Sequence, residues 1–310
     1  MGVYCAQAGS NMEIQTMRLF VTRGGQLSAL SFLLGWGYQL SGQVGPFPTL
    51  QTGYTQELFG TATLASGAIL GGLTFAPSGD VWAKICGPVG ALLRFDAART
   101  LVVNGANLHI QTTGATQTAS GCGLTVHPDG RLYLNSVSGA QRIDATTGAA
   151  LGVIGQPGNI YGITVDPQTN RVVYPAGNCV AIINCRLLSV DPVSGNVETL
   201  ATFAAPAALE FVDGIAFDPA GNFLVVVGRT GSFPQDRPYL TILTRSGTTI
   251  RQLSADHFPD GVAFHQSPFY MITNNNDGTV RRYDFPGDDL RQMPAETVDR
   301  KSTRLNSSHG

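Results

Sequence analysis

Four residues in two neighbouring stretches could do chemistry together. Glu210 and Asp213 stand three positions apart, and His257 and Asp260 repeat that spacing 47 positions later. Carboxylates gathered at one point suit a hard cation such as Ca²⁺, which takes several oxygen ligands. An imidazole beside them can take or give a proton near neutral pH. On this reading Asp213, Asp260 and Glu210 are metal ligands and His257 is the acid/base. The competing reading is plainer: Asp-Gly is a common turn dipeptide, and these side chains are solvated polar groups where a loop enters a strand.

The elements that would position them form a repeat. Aligned on one glycine, the copies read Gly72-Leu-Thr-Phe-Ala-Pro-Ser-Gly-Asp-Val-Trp82, Gly123-Leu-Thr-Val-His-Pro-Asp-Gly-Arg-Leu-Tyr133, Gly162-Ile-Thr-Val-Asp-Pro-Gln-Thr-Asn-Arg-Val172, Gly214-Ile-Ala-Phe-Asp-Pro-Ala-Gly-Asn-Phe-Leu224 and Gly261-Val-Ala-Phe-His-Gln-Ser-Pro-Phe-Tyr270. Each is a short strand, a turn and a second apolar run. The glycines are 51, 39, 52 and 47 residues apart. A second marker, Arg94-Phe-Asp96, Arg142-Ile-Asp144, Ser189-Val-Asp191 and Arg282-Tyr-Asp284, keeps the same period, with intervals of 48, 47 and 93 between its aspartates. A period of 40 to 50 with strand-turn-strand content marks the four-stranded blades of a β-propeller. The fold class is therefore all-β, with five full blades at about 69–117, 118–157, 158–208, 209–256 and 257–296. Leu50-Gln-Thr-Gly53 and Tyr54 to Phe59 keep register with the later outer strands, so the N-terminal part is expected to supply half of another blade. That makes a six-bladed ring cut short at its C-terminus; a complete five-bladed ring is the alternative.

In a propeller the inner strands begin at one mouth of the central channel. The residue before each opening glycine is Gly71, Cys122, Tyr161, Asp213 or Asp260, and the one three earlier is Ala68, Ala119, Gly158, Glu210 or His257. Acidic and basic groups thus fall on two adjacent blades and small residues on others. Tyr161, and the loop residues Asn274 and Asn275, are expected to touch substrate at the same mouth, where function commonly sits on loops. Asp166, Asp191 and Asp218, each followed by proline, read as turn aspartates that accept backbone N–H bonds. His127 and His265 occupy the same slot and read as turn residues too.

The blade pattern resembles the senescence-marker/gluconolactonase family, the NHL-repeat proteins and the streptogramin lyases over roughly 69–290. In the gluconolactonase family a channel cation is held by a Glu, Asn and an Asp that opens a Pro-Asp-Gly motif. Pro259-Asp260-Gly261 and Val212-Asp213-Gly214 match that motif; the family's early Glu-Gly-Pro is absent, and no Asn-Gly opens an inner strand. Ser78-Gly-Asp-Val-Trp82 and Ala220-Gly-Asn-Phe-Leu224 partly match the lyase hairpin. The resemblance implies a metal-dependent hydrolase or lyase of a lactone- or ester-like small molecule. A non-catalytic propeller that binds protein or glycan through its top-face loops is the second reading.

Composition bounds the partners. Charged residues are 13% of 310 and the net charge is −2, with no basic stripe to hold nucleic acid. Met17 to Arg23 followed by the apolar run Leu27 to Leu40 suggests a signal peptide, too short for a membrane span; the alternative is a buried N-terminal segment. Residues 1–42 are set aside as a leader, with 43–298 as the propeller. Residues 299–310 resemble the translation of a sequencing adapter; otherwise they are a polar tail. A secreted or periplasmic monomer is expected. In an oxidising compartment Cys179 and Cys185, flanking an insert between two strands, are expected to pair.

Overall fold

The computed structural model describes residues 69–86, 91–98, 101–103, 122–158, 161–178, 183–203, 211–230, 237–254, 259–275 and 280–299 in and between its sheets, together with the backbone of 15–24 and 54–64. β1 (Gln15–Gly24) pairs antiparallel with β2 (Tyr54–Leu64) in a sheet of two strands. Twenty strands then form five four-stranded antiparallel blades, each with its strands in chain order. Blade 1 holds β3 (Ile69–Phe75), β4 (Val81–Cys86), β5 (Ala91–Phe95) and β6 (Leu101–Val103). Blade 2 holds β7 (Leu124–Val126), β8 (Arg131–Ser136), β9 (Gly139–Asp144) and β10 (Ala150–Ile154). Blade 3 holds β11 (Thr164–Val165), β12 (Val172–Asn178), β13 (Ile183–Val190) and β14 (Val197–Phe203). Blade 4 holds β15 (Phe211–Phe217), β16 (Phe223–Thr230), β17 (Arg237–Thr244) and β18 (Thr249–Ser254). Blade 5 holds β19 (Pro259–Gln266), β20 (Phe269–Asn275), β21 (Val280–Asp284) and β22 (Ala295–Asp299). Among the described residues no helix is long and apolar enough to cross a membrane.

The five blades match the repeat. β16 shows why its sequence is a continuous apolar run rather than an alternating one. Both faces of a blade are covered by its neighbours, so every side chain needs to be apolar. Leu224 and Val226 pack with Val173 and Leu187 of blade 3, whereas Val225 and Val227 pack with Val262 and Met271 of blade 5. All four of these β16 side chains are fully buried. Burial of each contributes about 2 kcal/mol. Equivalent apolar seams join blade 1 to blade 2 through Trp82 and Leu132, and blade 2 to blade 3 through Tyr133 and Tyr174.

The turns between first and second strands do more than reverse the chain. Asp166 Oδ1 accepts the amide of Gln168 at 2.9 Å, and Asp218 accepts those of Ala220 and Phe223 at 3.2 and 2.6 Å. Asp191, after a third strand, accepts Val193 and Ser194 at 2.7 and 3.0 Å. These are the turn roles expected of them. The same turns also clasp adjacent blades. His127 is buried, accepts the Asp129 amide at Nδ1 and donates from Nε2 to the Asn170 carbonyl of blade 3 at 2.6 Å. Gln168 Nε2 donates to the Ala220 carbonyl of blade 4 at 2.8 Å, and the Arg94 guanidinium reaches the Thr146 carbonyl of blade 2. His265 keeps to its own turn, with Nδ1 2.7 Å from the Pro268 carbonyl, and stacks on Tyr270.

Candidate functional site

Inner strands β3, β7, β11, β15 and β19 stand side by side in that order, and residues from all five line one cavity of about 440 Å³ on the axis. Their close approach explains why the first three copies open on glycine. A Cβ on Gly72 would stand 2.5 Å from Leu124 Cβ and 2.7 Å from the Cys122 carbonyl, and the Gly72 amide bonds to that same carbonyl across the blade junction. Gly162 combines a φ of +48° with an approach of 3.2 Å to the Asp213 carbonyl.

Two of the residues before those glycines stand at local irregularities in their strands. In β15 the pairing with β16 runs Val212 to Gly228 and then Gly214 to Val227, so Asp213 is the extra residue of a β-bulge. In β19 it runs Pro259 to Asn275 and then Gly261 to Asn274, which leaves Asp260 in the same place. A bulge turns one residue out of the ladder and re-aims it. Asp213, Tyr161 and Cys122 all line the cavity at this end. Asp213 is half-buried. Asn274 and Asn275, expected on a loop, instead end strand β20, flanking the bulge that carries Asp260. The side chains of Asp260, Asn274 and Asn275, and the whole of Glu210 and His257, lie outside the described residues, as does Cys179. Among the described residues no three His, Cys, Asp or Glu side chains gather at one point.

Asn135 supports this mouth and was not singled out from sequence. It is the penultimate residue of β8, is wholly buried, and its Nδ2 donates to the Tyr161 carbonyl at 2.6 Å and the Gly162 carbonyl at 3.1 Å. One side chain of blade 2 thereby fixes the backbone that presents Tyr161 and opens the inner strand of blade 3. A buried asparagine near the end of an apolar strand was the available signal.

Cys122 and Cys185 are both disulfide-bonded. Cys185 sits inside β13, opposite Phe203, so the segment between β12 and β13 is only 179–182 and the expected insert is shorter than its cysteines suggest.

Two solved structures share the architecture. A gluconolactonase from Xanthomonas campestris matches with a TM-score of 0.50 at 14% identity, covering 75% of this chain and 80% of its own. A PQQ-bound aldose sugar dehydrogenase from Streptomyces coelicolor gives 0.50 at 15% identity, covering 74% and 80%. Both are propellers. So is this chain. A hydrazine synthase from Kuenenia stuttgartiensis is also similar, with a TM-score of 0.54 at 16% identity over 74% of this chain and 68% of that one. At such identities the likeness shows the fold alone. No family model and no curated protein sequence matches this propeller.

Proposed function

We propose that this propeller is a secreted enzyme, a metal-dependent hydrolase or lyase of a small lactone- or ester-like molecule, with its site at the mouth of the channel. The observation that carries the proposal is the pair of aspartates at equivalent bulges, Asp213 and Asp260, on adjacent inner strands. An all-oxygen donor set suits a hard divalent cation such as Ca²⁺, and fits it better than a soft metal. Asp213 and Asp260 would hold the ion, with Glu210 as a further ligand. The ion, when bound, would polarise a carbonyl oxygen of the substrate. His257 would take or deliver the proton, and Tyr161, Asn274 and Asn275 would orient the substrate. The disulfide-bonded cysteines support an oxidising compartment.

A lactone, ester and lyase substrate panel with and without calcium tests this reading. Calcium-dependent turnover in the wild type, lost in His257→Ala with the melting temperature unchanged, is the expected result. A second reading is a non-catalytic propeller that binds protein or glycan through its top-face loops. Absence of turnover on the whole panel, with calcium present, would move the balance to that reading.

A further inference from the structure

The lining of the channel changes character along the axis. At the mouth stand Tyr161, Cys122 and Asp213. One layer in, blades 1 to 3 present Thr74, Thr125 and Thr164 at equivalent positions. Deeper, β3, β7, β11 and β15 end in Phe75, Val126, Val165 and Phe217, and β19 carries Phe264 at the equivalent position; all five line the same cavity. Phe75, Val126, Val165 and Phe264 are only partly buried, although each lies in a strand flanked by packed core. The far rim is formed by Pro167, Pro219, Asp218 and Gln266. Among the described lining residues there is no lysine or arginine.

We propose that the channel binds an uncharged amphiphile whose polar head sits at the Asp213–Tyr161 mouth and whose short aliphatic tail lies along Phe75, Val126, Val165 and Phe264. This deepens the enzyme reading by naming a ligand class, and it rests on that reading for which mouth the head takes. The volume is that of an ordinary small-molecule site, which is apolar with a few placed polar groups. Asp213 to Phe217 spans about 13 Å at the rise of a strand, room for a five-membered cyclic head and a tail of about six carbons. Without calcium, a carboxylate head would meet the like charge of Asp213 at the mouth. A purely polar ligand would leave the apolar belt hydrated and forgo its contribution.

The test is calorimetric titration of the full chain with γ-alkyl-γ-lactams of increasing chain length, which resist hydrolysis, with and without calcium. Decanoate is the anionic comparison. The expected result is affinity rising about two- to fourfold per methylene up to about six carbons and then levelling, with decanoate, compared without calcium, much weaker than the lactam of matched length. Val165→Asp should flatten the series, and the milder Val165→Ala should lower the gain per methylene without unfolding risk. Chain-length dependence without any calcium effect supports the tail site while removing the metal from it. An affinity independent of chain length, or decanoate binding as tightly as the lactam without calcium, overturns the proposal. Either can occur with the calcium response intact, so it would leave the metal reading standing.

Discussion

Arg245 of blade 4 grips Asp166 of blade 3 across 79 residues of sequence, with Nη1 2.7 Å from Oδ1 and Nη2 on Oδ2. A turn aspartate thus also locks two blades together. Burial pushes the Asp166 carboxyl up, but the Thr169 hydroxyl, Arg245 and the Gln168 amide outweigh it and hold the group below the usual carboxylate value.

Because the folded value lies below the unfolded one, this group contributes stability above about pH 4 and loses it as pH falls through the folded value. Asp166→Ala is expected to cost about 3 kcal/mol at neutral pH. Urea melts of Asp166→Ala, Arg245→Ala and the double variant should give a coupling of about 1–3 kcal/mol. They should also show that the wild type loses its advantage over Asp166→Ala in acid. Additive single effects would mean that the clasp contributes nothing beyond the turn.

Tyr133 lies buried where blades 2 and 3 meet, with its hydroxyl 3.1 Å from Asp129 Oδ2. Burial, and then the Asp129 charge, push its phenol up to about 12. The folded value is above the unfolded one of about 10, so this contribution is complete below pH 10 and is lost as pH rises through 12. The phenolate absorbance lost in Tyr133→Phe should be a part of the wild-type titration that appears near pH 12, while Tyr174, also raised by burial, stays in both curves. Equal titration curves per tyrosine would show that its site is wet.

Gly72→Ala should be the most costly change on the inner strands. The new methyl meets backbone and Cβ of Leu124, neither of which can swing away. The expected loss is about 3 kcal/mol by thermal or urea unfolding. A loss below about 1 kcal/mol would contradict the close contact of blades 1 and 2 at the axis.

Most of the fold is legible in the chain because a blade is a local object. The glycine that opens each inner strand, the Asp-Pro turn and the Arg-x-Asp marker all fall within one unit, so their period is visible without knowing which blades touch. The clasps are not legible, since Arg245 and Asp166 belong to different units and neither residue type demands the other. The candidate site is partly legible. Asp213 and Asp260 precede glycines, which predicts the mouth, but the bulges at which they stand depend on register with β16 and β20. Asn274 and Asn275 read as loop from composition, whereas pairing with β19 extends β20 through both. Asn135 looks like one polar residue in an apolar run; its meaning comes from the Tyr161 and Gly162 carbonyls it holds. The pairing of β1 with β2 joins residues about 40 apart through no marker of the repeat.

The central claim is that Asp213 and Asp260 hold a cation at the channel mouth. The most direct measurement is the calcium dependence of the melting temperature for wild type, Asp213→Ala, Asp260→Ala and the double variant. The account predicts a saturable rise for the wild type, by the linkage of binding to folding, reduced in each single variant and absent in the double one. A rise that persists undiminished in the double variant, or a wild type that does not respond to calcium at all, would contradict it.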